Sequence, residues 1–303
     1  MKNKQNRGAA IRESASERTL VIICIILLSI FSFACIYPFY YTIIGSITSA
    51  TDVTQVVLWP KHLSFATYSQ IFAMPGLFQS MIISFSRTVL GTALTVYFSA
   101  MLGYLVTKKM LLRKFVYRFC VVTMYINAGL IPWYLTMKMY GFYNNYLIYI
   151  IPSAVSAFYM IIIKTYIESL PASLEESAEI DGAGFLTVFN RIIFPISKPI
   201  LATVAVYAAV GQWNSWQDNF FLIDKQSLTT LSYNLYLVLN QAQVLANQMM
   251  SKTPGSTSPV SSPISSVTVQ MAMVVVTVLP IMLVYPFLQR FFTKGIMLGA
   301  VKG

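Results

Sequence analysis

The sequence predicts an all-α membrane protein with six transmembrane helices and both termini cytoplasmic. Three observations carry this. Hydrophobic residues make up 56% of the 303 positions and charged residues only 10%, whereas a soluble domain carries roughly a quarter charged residues. Apolar runs of the length that crosses a bilayer, about 20 residues, recur six times. The basic residues then sort by side: sixteen Lys and Arg fall on one side of these runs and four on the other, with Arg87 inside the second run. Lysine and arginine accumulate on the cytoplasmic side of membrane proteins, which places both chain ends there.

Residues 1–19 form a basic cytoplasmic segment (Lys2, Lys4, Arg7, Arg12, Arg18). A six-span domain follows over 20–290. Its first span is 20–44; because the apolar run continues past Cys35 and further spans follow, it does not read as a cleaved signal. The second span is 80–106, and the cluster Lys108, Lys109, Arg113, Lys114 and Arg118 follows it. The third and fourth spans are 115–137 and 146–166. A cytoplasmic loop, 168–198, leads to the fifth span, 200–216. An external loop, 217–266, holds an amphipathic helix over 228–250, with Leu228, Leu231, Leu235 and Leu239 near helical spacing, and a Ser/Pro-rich linker over 251–266. The sixth span is 267–288, and 291–303 is a cytoplasmic tail.

The loop 168–198 holds five of the ten acidic residues: Glu168, Glu175, Glu176, Glu179 and Asp181. Pro171 ends the preceding helix. Ser173 and Glu176 have the S-x-x-E spacing of a capping box. Glu175 and Glu176 sit in the first helical turn, where carboxylates favour the positive end of the helix dipole. Gly182 suits a left-handed helix stop, and a second short helix runs from Phe185 to about Phe194, ending at Pro195. The pattern is helix, glycine turn, helix.

Glu176-Ser177-Ala178, then Gly182, then nine residues, then Ile192-Ile193-Phe194-Pro195, resembles the EAA motif of ABC import permeases. The Asp181-Gly182-Ala183 form is similar to the carbohydrate-uptake, MalG-like branch; Ser177 and Phe194 replace the usual alanine and leucine. Asn127-Ala128-Gly129-Leu130-Ile131-Pro132, Trp213-Asn214-Ser215-Trp216 and the ending Gly299-Ala300-Val301-Lys302-Gly303 resemble elements of the LplC/YtcP polysaccharide-type permeases. The resemblance implies that 168–198 is the coupling segment between spans four and five, with Glu175, Glu176, Ser177, Ala178, Asp181, Gly182, Ile192 and Pro195 engaging a cytoplasmic ATPase. For Ile192, packing between the two short helices is an equal alternative. The implied partners are two ATP-binding cassette ATPase subunits, a second homologous permease, since one coupling loop serves one ATPase, and an extracytoplasmic sugar-binding protein. The implied setting is the bacterial cell membrane.

The residues exclude other chemistries. No G-x-x-x-x-G-K-[ST] is present, so ATP hydrolysis belongs to another chain. One histidine (His62) and three cysteines in apolar runs (Cys24, Cys35, Cys120) give no metal or disulfide pattern. No cofactor or metal is expected. The net charge of +11 sorts by membrane side, so it does not call for nucleic acid. Aromatic and amide side chains suit a sugar path. Trp213, Asn214, Trp216, Gln217, Asn127 and Tyr159 are the candidates, although tryptophan and tyrosine also collect at membrane interfaces for physical reasons alone. Arg87 is a charge at membrane depth, which snorkels outward, pairs with another subunit or meets substrate. Two other readings stay open here: an ABC importer permease for a non-sugar solute, and a polytopic membrane enzyme.

Overall fold

The computed structural model of the protein describes residues 15–48, 59, 62–126, 128–251 and 266–300. Among these it is helical, with no strand beyond one isolated bridge between Thr48 and Leu63. Asn127 and 252–265, most of the Ser/Pro-rich linker, lie outside the described residues, as do 1–14 and 301–303.

The helices are α1 (Ala15–Ser46), α2 (Ala66–Phe72), α3 (Leu77–Leu105), α4 (Arg113–Tyr125), α5 (Leu130–Met139), α6 (Ala157–Ile167), α7 (Ser173–Ile180), α8 (Phe185–Ile196), α9 (Lys198–Asn214), α10 (Gln217–Leu222), α11 (Leu231–Ser251) and α12 (Ser266–Ala300). By length and composition, Arg18–Ser46, Leu77–Leu105 and Val267–Val284 can each cross a membrane. Helices α8 and α9, bent by 82° at Ser197, make a fourth candidate if the pair is one span.

The expected third and fourth spans are not single helices. Between α4 and α5 the chain turns at Gly129 (φ +83°), a left-handed conformation open to glycine. The stretch over 146–166 begins with a short 3-10 turn, Tyr146–Tyr149, and becomes α-helix only from Ala157. Pro152 lies in the irregular part, where its missing N–H and fixed φ oppose a continuous helix.

Helix α3 is the centre of the packing and touches α2, α6, α9 and α11. It meets α6 closely at Gly103, where a Cβ would stand 3.1 Å from the Met160 carbonyl oxygen and 3.3 Å from the Lys164 nitrogen. Buried residues Tyr104, Ile163, Val188, Phe189, Ile193 and Val204 form one core between α3, α6, α8 and α9. A second core joins Ile71, Leu77, Trp213, Leu231 and Met273. Helix α12 closes the bundle against α1, α9 and α11.

Three local expectations are corrected. Ser173 and Glu176 form no capping box: Ala172 is already helical (φ −62°, ψ −27°), so Ser173 is the first residue inside the helix and makes no cap. Pro195 does not end the second short helix, which continues to Ile196. A π turn over Phe189–Ile193 widens the backbone ladder just before it, which accommodates a residue with no N–H to donate. The amphipathic helix expected from 228 starts later, because the segment after Gln217 is pinned to the bundle. Asn219 is fully buried and its Oδ1 accepts from the Thr230 nitrogen at 2.7 Å. The Leu231 nitrogen donates to Ser84 Oγ at 2.7 Å, and Asn234 donates to Ser80 Oγ at 2.9 Å. The amphipathic helix accordingly begins at Leu231, with Leu228 in a preceding 3-10 turn.

Candidate functional site

The helix–turn–helix over 173–196 is built on the end of α3. Helix α7 stops in a Schellman arrangement: the Gly182 nitrogen donates to the Glu179 carbonyl at 3.1 Å and the Ala183 nitrogen to the Ala178 carbonyl at 2.9 Å. Such a stop needs a left-handed residue, and Gly182 supplies it at φ +78°. Inner and outer faces then separate. Ala178, Val188, Phe189 and Ile193 are buried, and Ile192 packs half-buried against them. Glu176, Ser177, Asp181 and Gly182 are exposed, as are Ile180 (86%) and Leu186 (58%).

The acidic residues divide in the same way. Lys108 Nζ meets Glu175 Oε2 at 2.5 Å and Glu179 Oε1 at 3.0 Å. Glu168 is held by Lys164 at 2.7 Å and by Arg113 at 3.5 Å. Burial acts to lower the Lys108 pKa, but the Glu175 carboxylate, then the Tyr104 hydroxyl and the Glu179 carboxylate, outweigh it and raise the pKa overall. Glu176 and Asp181 take part in none of the five ion pairs among the described residues. Glu175, among the residues the resemblance assigns to coupling, is half-buried and paired with Lys108 of its own chain.

Pro195 lies half-buried just before the Ser197 bend, after which α9 runs towards a cavity of about 1160 Å³. The wall includes Trp133, Tyr149, Ser153, Tyr159, Gln212 and Trp216. Of the six residues expected on a sugar path, Trp216, Gln217 and Tyr159 line this cavity. Trp213 does not: it is buried in the second core, and its Nε1 donates to the Thr277 carbonyl at 3.1 Å. Asn214 is exposed and away from the wall. The reason is local. Residues three apart share a helix face, but α9 ends at Asn214 and Ser215 is extended (ψ 126°), so Trp213 and Trp216 turn opposite ways. Trp216 stacks on Tyr236 with centroids 4.1 Å apart and planes at 12°.

Arg87 is 2% exposed and also lines the cavity. It neither snorkels outward nor waits for another subunit. Its Nη2 meets Asp218 Oδ2 at 2.5 Å and Gln212 Oε1 at 3.2 Å, its Nη1 meets Asp218 Oδ1 at 3.2 Å and the Ser215 carbonyl at 3.1 Å, and its guanidinium carbon lies 4.4 Å from the Tyr149 ring centroid. Arg87 and Asp218 are the charged side chains of the wall and neutralise each other.

Sequence reasoning also missed the polar lining of the irregular stretch before α6. Non-helical backbone away from bulk water is tolerated where protein groups satisfy it or where it borders a cavity; Pro152, Ser153 and Ser156 line the cavity, and neighbouring side chains meet polar groups of both serines. Thr95 Oγ1 donates to the Ser153 carbonyl at 2.7 Å, Gln212 Nε2 to Ser153 Oγ at 2.6 Å, and the Ser156 nitrogen to Ser99 Oγ at 3.1 Å. Pro152 inside an apolar run was the one signal available.

Comparison with known proteins gives a consistent picture. Residues 95–297 match the family described as "Binding-protein-dependent transport system inner membrane component". The chain is 33% identical over 279 residues to the polygalacturonan/rhamnogalacturonan transport system permease protein YtcP of Bacillus subtilis (strain 168), covering 91% of this chain and 96% of that one. It is 35% identical over 271 residues to protein LplC of the same organism, covering 88% and 90%. Among solved structures it is similar to a chain of a bacterial ABC transporter involved in the import of the acidic polysaccharide alginate, with a TM-score of 0.81, 28% identity, and coverage of 92% of this chain and 99% of that chain.

Proposed function

The chain belongs to the family of binding-protein-dependent transport system inner membrane components, and from that premise we propose how its parts divide the work. It is a multi-pass membrane permease subunit of an ATP-driven ABC importer for carbohydrate, and not itself an enzyme. ATP hydrolysis resides in separate ATPase subunits, and an extracytoplasmic solute-binding protein delivers the substrate. The finer reading is our own: six spans over 20–290, with both ends and the 168–198 segment cytoplasmic, a second homologous permease completing the path, and two ATPase subunits, one for each coupling segment. The runs at 115–137 and 146–166 then cross the membrane as broken helices.

The observation that carries the reading is the two-faced helix–turn–helix. Its inner face is packed into the transmembrane core, and its outer face leaves Glu176, Ser177, Asp181, Gly182, Ile180 and Leu186 exposed. We assign the outer face to the ATPase. Ala178, Ile192 and Pro195 support it from within, and Glu175 holds its orientation. The solute path runs along the cavity at Trp216, Gln217, Tyr159 and Trp133. Aromatic faces beside amide and hydroxyl groups are what a carbohydrate requires, and a volume of about 1160 Å³ accommodates an oligosaccharide. The polysaccharide-associated relatives support an oligosaccharide substrate.

The test is purification of the chain from its native membrane in mild detergent, with mass spectrometry of what accompanies it. An ATPase and a second permease are expected, together with uptake of labelled oligosaccharide by the reassembled complex. Recovery of the chain with neither partner would overturn the assignment.

A further inference from the structure

Lys108 stands in the middle of a joint between two parts of the molecule. Its ammonium bridges Glu175 and Glu179, which are four apart and so share one face of α7. It lies 5.0 Å from the Tyr104 ring centroid, one turn back on α3. Tyr104 in turn stacks on Phe185 and Phe189 of α8, with centroids 4.9 and 5.7 Å apart. The end of α3 and the turn that follows it therefore grip both arms of the Gly182 turn, α7 by the charge of Lys108 and α8 by the aromatic packing of Tyr104. Apart from its chain neighbours, no atom lies within 4 Å of where a Gly182 Cβ would be, so the turn is closed by its own two backbone hydrogen bonds and not by packing. Helix α3 then runs unbroken for 29 residues and carries Thr95 and Arg87 on the cavity wall.

We propose that Lys108 is a positioning residue for energy coupling: it locks α7 to α3, so that force on the outer face of α7 reaches the cavity wall instead of swinging α7 about Gly182. This rests on the permease reading above. Removing the ammonium leaves Glu175 and Glu179 without their cation, and α7 is then held by the Gly182 turn and the buried Ala178 alone. Two partly exposed pairs correspond to about a five-fold change in the population of the locked pose.

Two measurements on Lys108→Met, which keeps the apolar stem, test this. In the assembled importer with its ATPase, second permease and binding protein, solute imported per ATP hydrolysed should fall about five-fold while ATPase recovery stays at the wild-type level. Lys108→Arg should restore the ratio, and Glu175→Gln with Glu179→Gln should reproduce the loss. In the purified chain alone, amide exchange over 173–183 should quicken in Lys108→Met. An unchanged transport-to-ATP ratio, unchanged exchange, or loss of the ATPase from the complex would each overturn the proposal. The exchange measurement needs no partner, so it decides the lock even if the wild-type chain captures no ATPase, an outcome that would instead overturn the permease assignment.

Discussion

Replacing Asp218 by asparagine isolates the charge of a buried pair. Arg87 lies well inside α3 and is 2% exposed, with Asp218 at 13%. Arg87 Nη1 and Nη2 both reach the carboxylate, at 3.2 and 2.5 Å. Asparagine keeps the shape and an oxygen for Arg87 and for Ser215 Oγ, which donates at 3.2 Å. It removes the negative charge and leaves the guanidinium facing only neutral groups: the amide oxygen, Gln212 Oε1, the Ser215 carbonyl and the Tyr149 ring. Removing one partner of a buried pair costs about 3–5 kcal/mol. Retention of the neutral contacts places Asp218→Asn near ~3 kcal/mol and Asp218→Leu near ~5 kcal/mol. Each kcal/mol lowers the melting temperature of a chain this size by about 2–4 °C, so Asp218→Asn should melt about 6–12 °C lower in detergent. The double variant Arg87→Met with Asp218→Leu deletes both charges and should recover to within ~1 kcal/mol of wild type. Thermal unfolding followed by circular dichroism, at one fixed scan rate, reads all four proteins. A melting temperature unchanged in Asp218→Asn, or a double variant as unstable as the single ones, would refute the reasoning. Either result would leave Arg87 free to meet substrate charge.

Three further outcomes follow from the geometry. Gly182→Val forces a β-branched residue to φ +78° with no steric clash, at a cost of about 1–2 kcal/mol; ATPase co-purification should drop roughly ten-fold, and unchanged recovery would remove Gly182 from the docking surface. Trp216→Ala should lower oligosaccharide uptake with little change in unfolding, whereas Trp213→Ala should lose about 3–5 kcal/mol of stability and much of the folded chain; uptake paired with thermal unfolding separates them, and the opposite pattern would reverse their assigned faces. Gly103→Ala brings a methyl to 3.1 Å from the Met160 carbonyl and should destabilise by about 1–3 kcal/mol, read as a lower melting temperature with the ATPase still bound.

Much of the coupling segment was legible because its determinants are local. The spacing from Glu176 to Gly182 and on to Pro195 is written in consecutive residues, and the left-handed stop at Gly182 follows from which residue tolerates positive φ. Two local readings nevertheless failed. The Ser173 capping box gave way because Ala172 had already entered the helix, and Pro195 was absorbed because the preceding π turn made room for it.

What the sequence by itself determined was the membrane class, the family and the position of the two-faced turn, since composition, hydropathy and motif spacing are sums over neighbours. Tertiary structure decided the rest. Only the folded chain brings Asp218 to Arg87 across 131 positions and divides Glu175 from Glu176 by placing Lys108 beside one of them. Only it sends Trp213 into the core and Trp216 to the cavity through one extended residue, Ser215. The irregular backbone before α6 is tolerable because Thr95, Ser99 and Gln212, distant in sequence, satisfy the polar groups it exposes. A buried charge or an open backbone carbonyl must find its partner in space, and sequence distance puts no limit on where that partner lies.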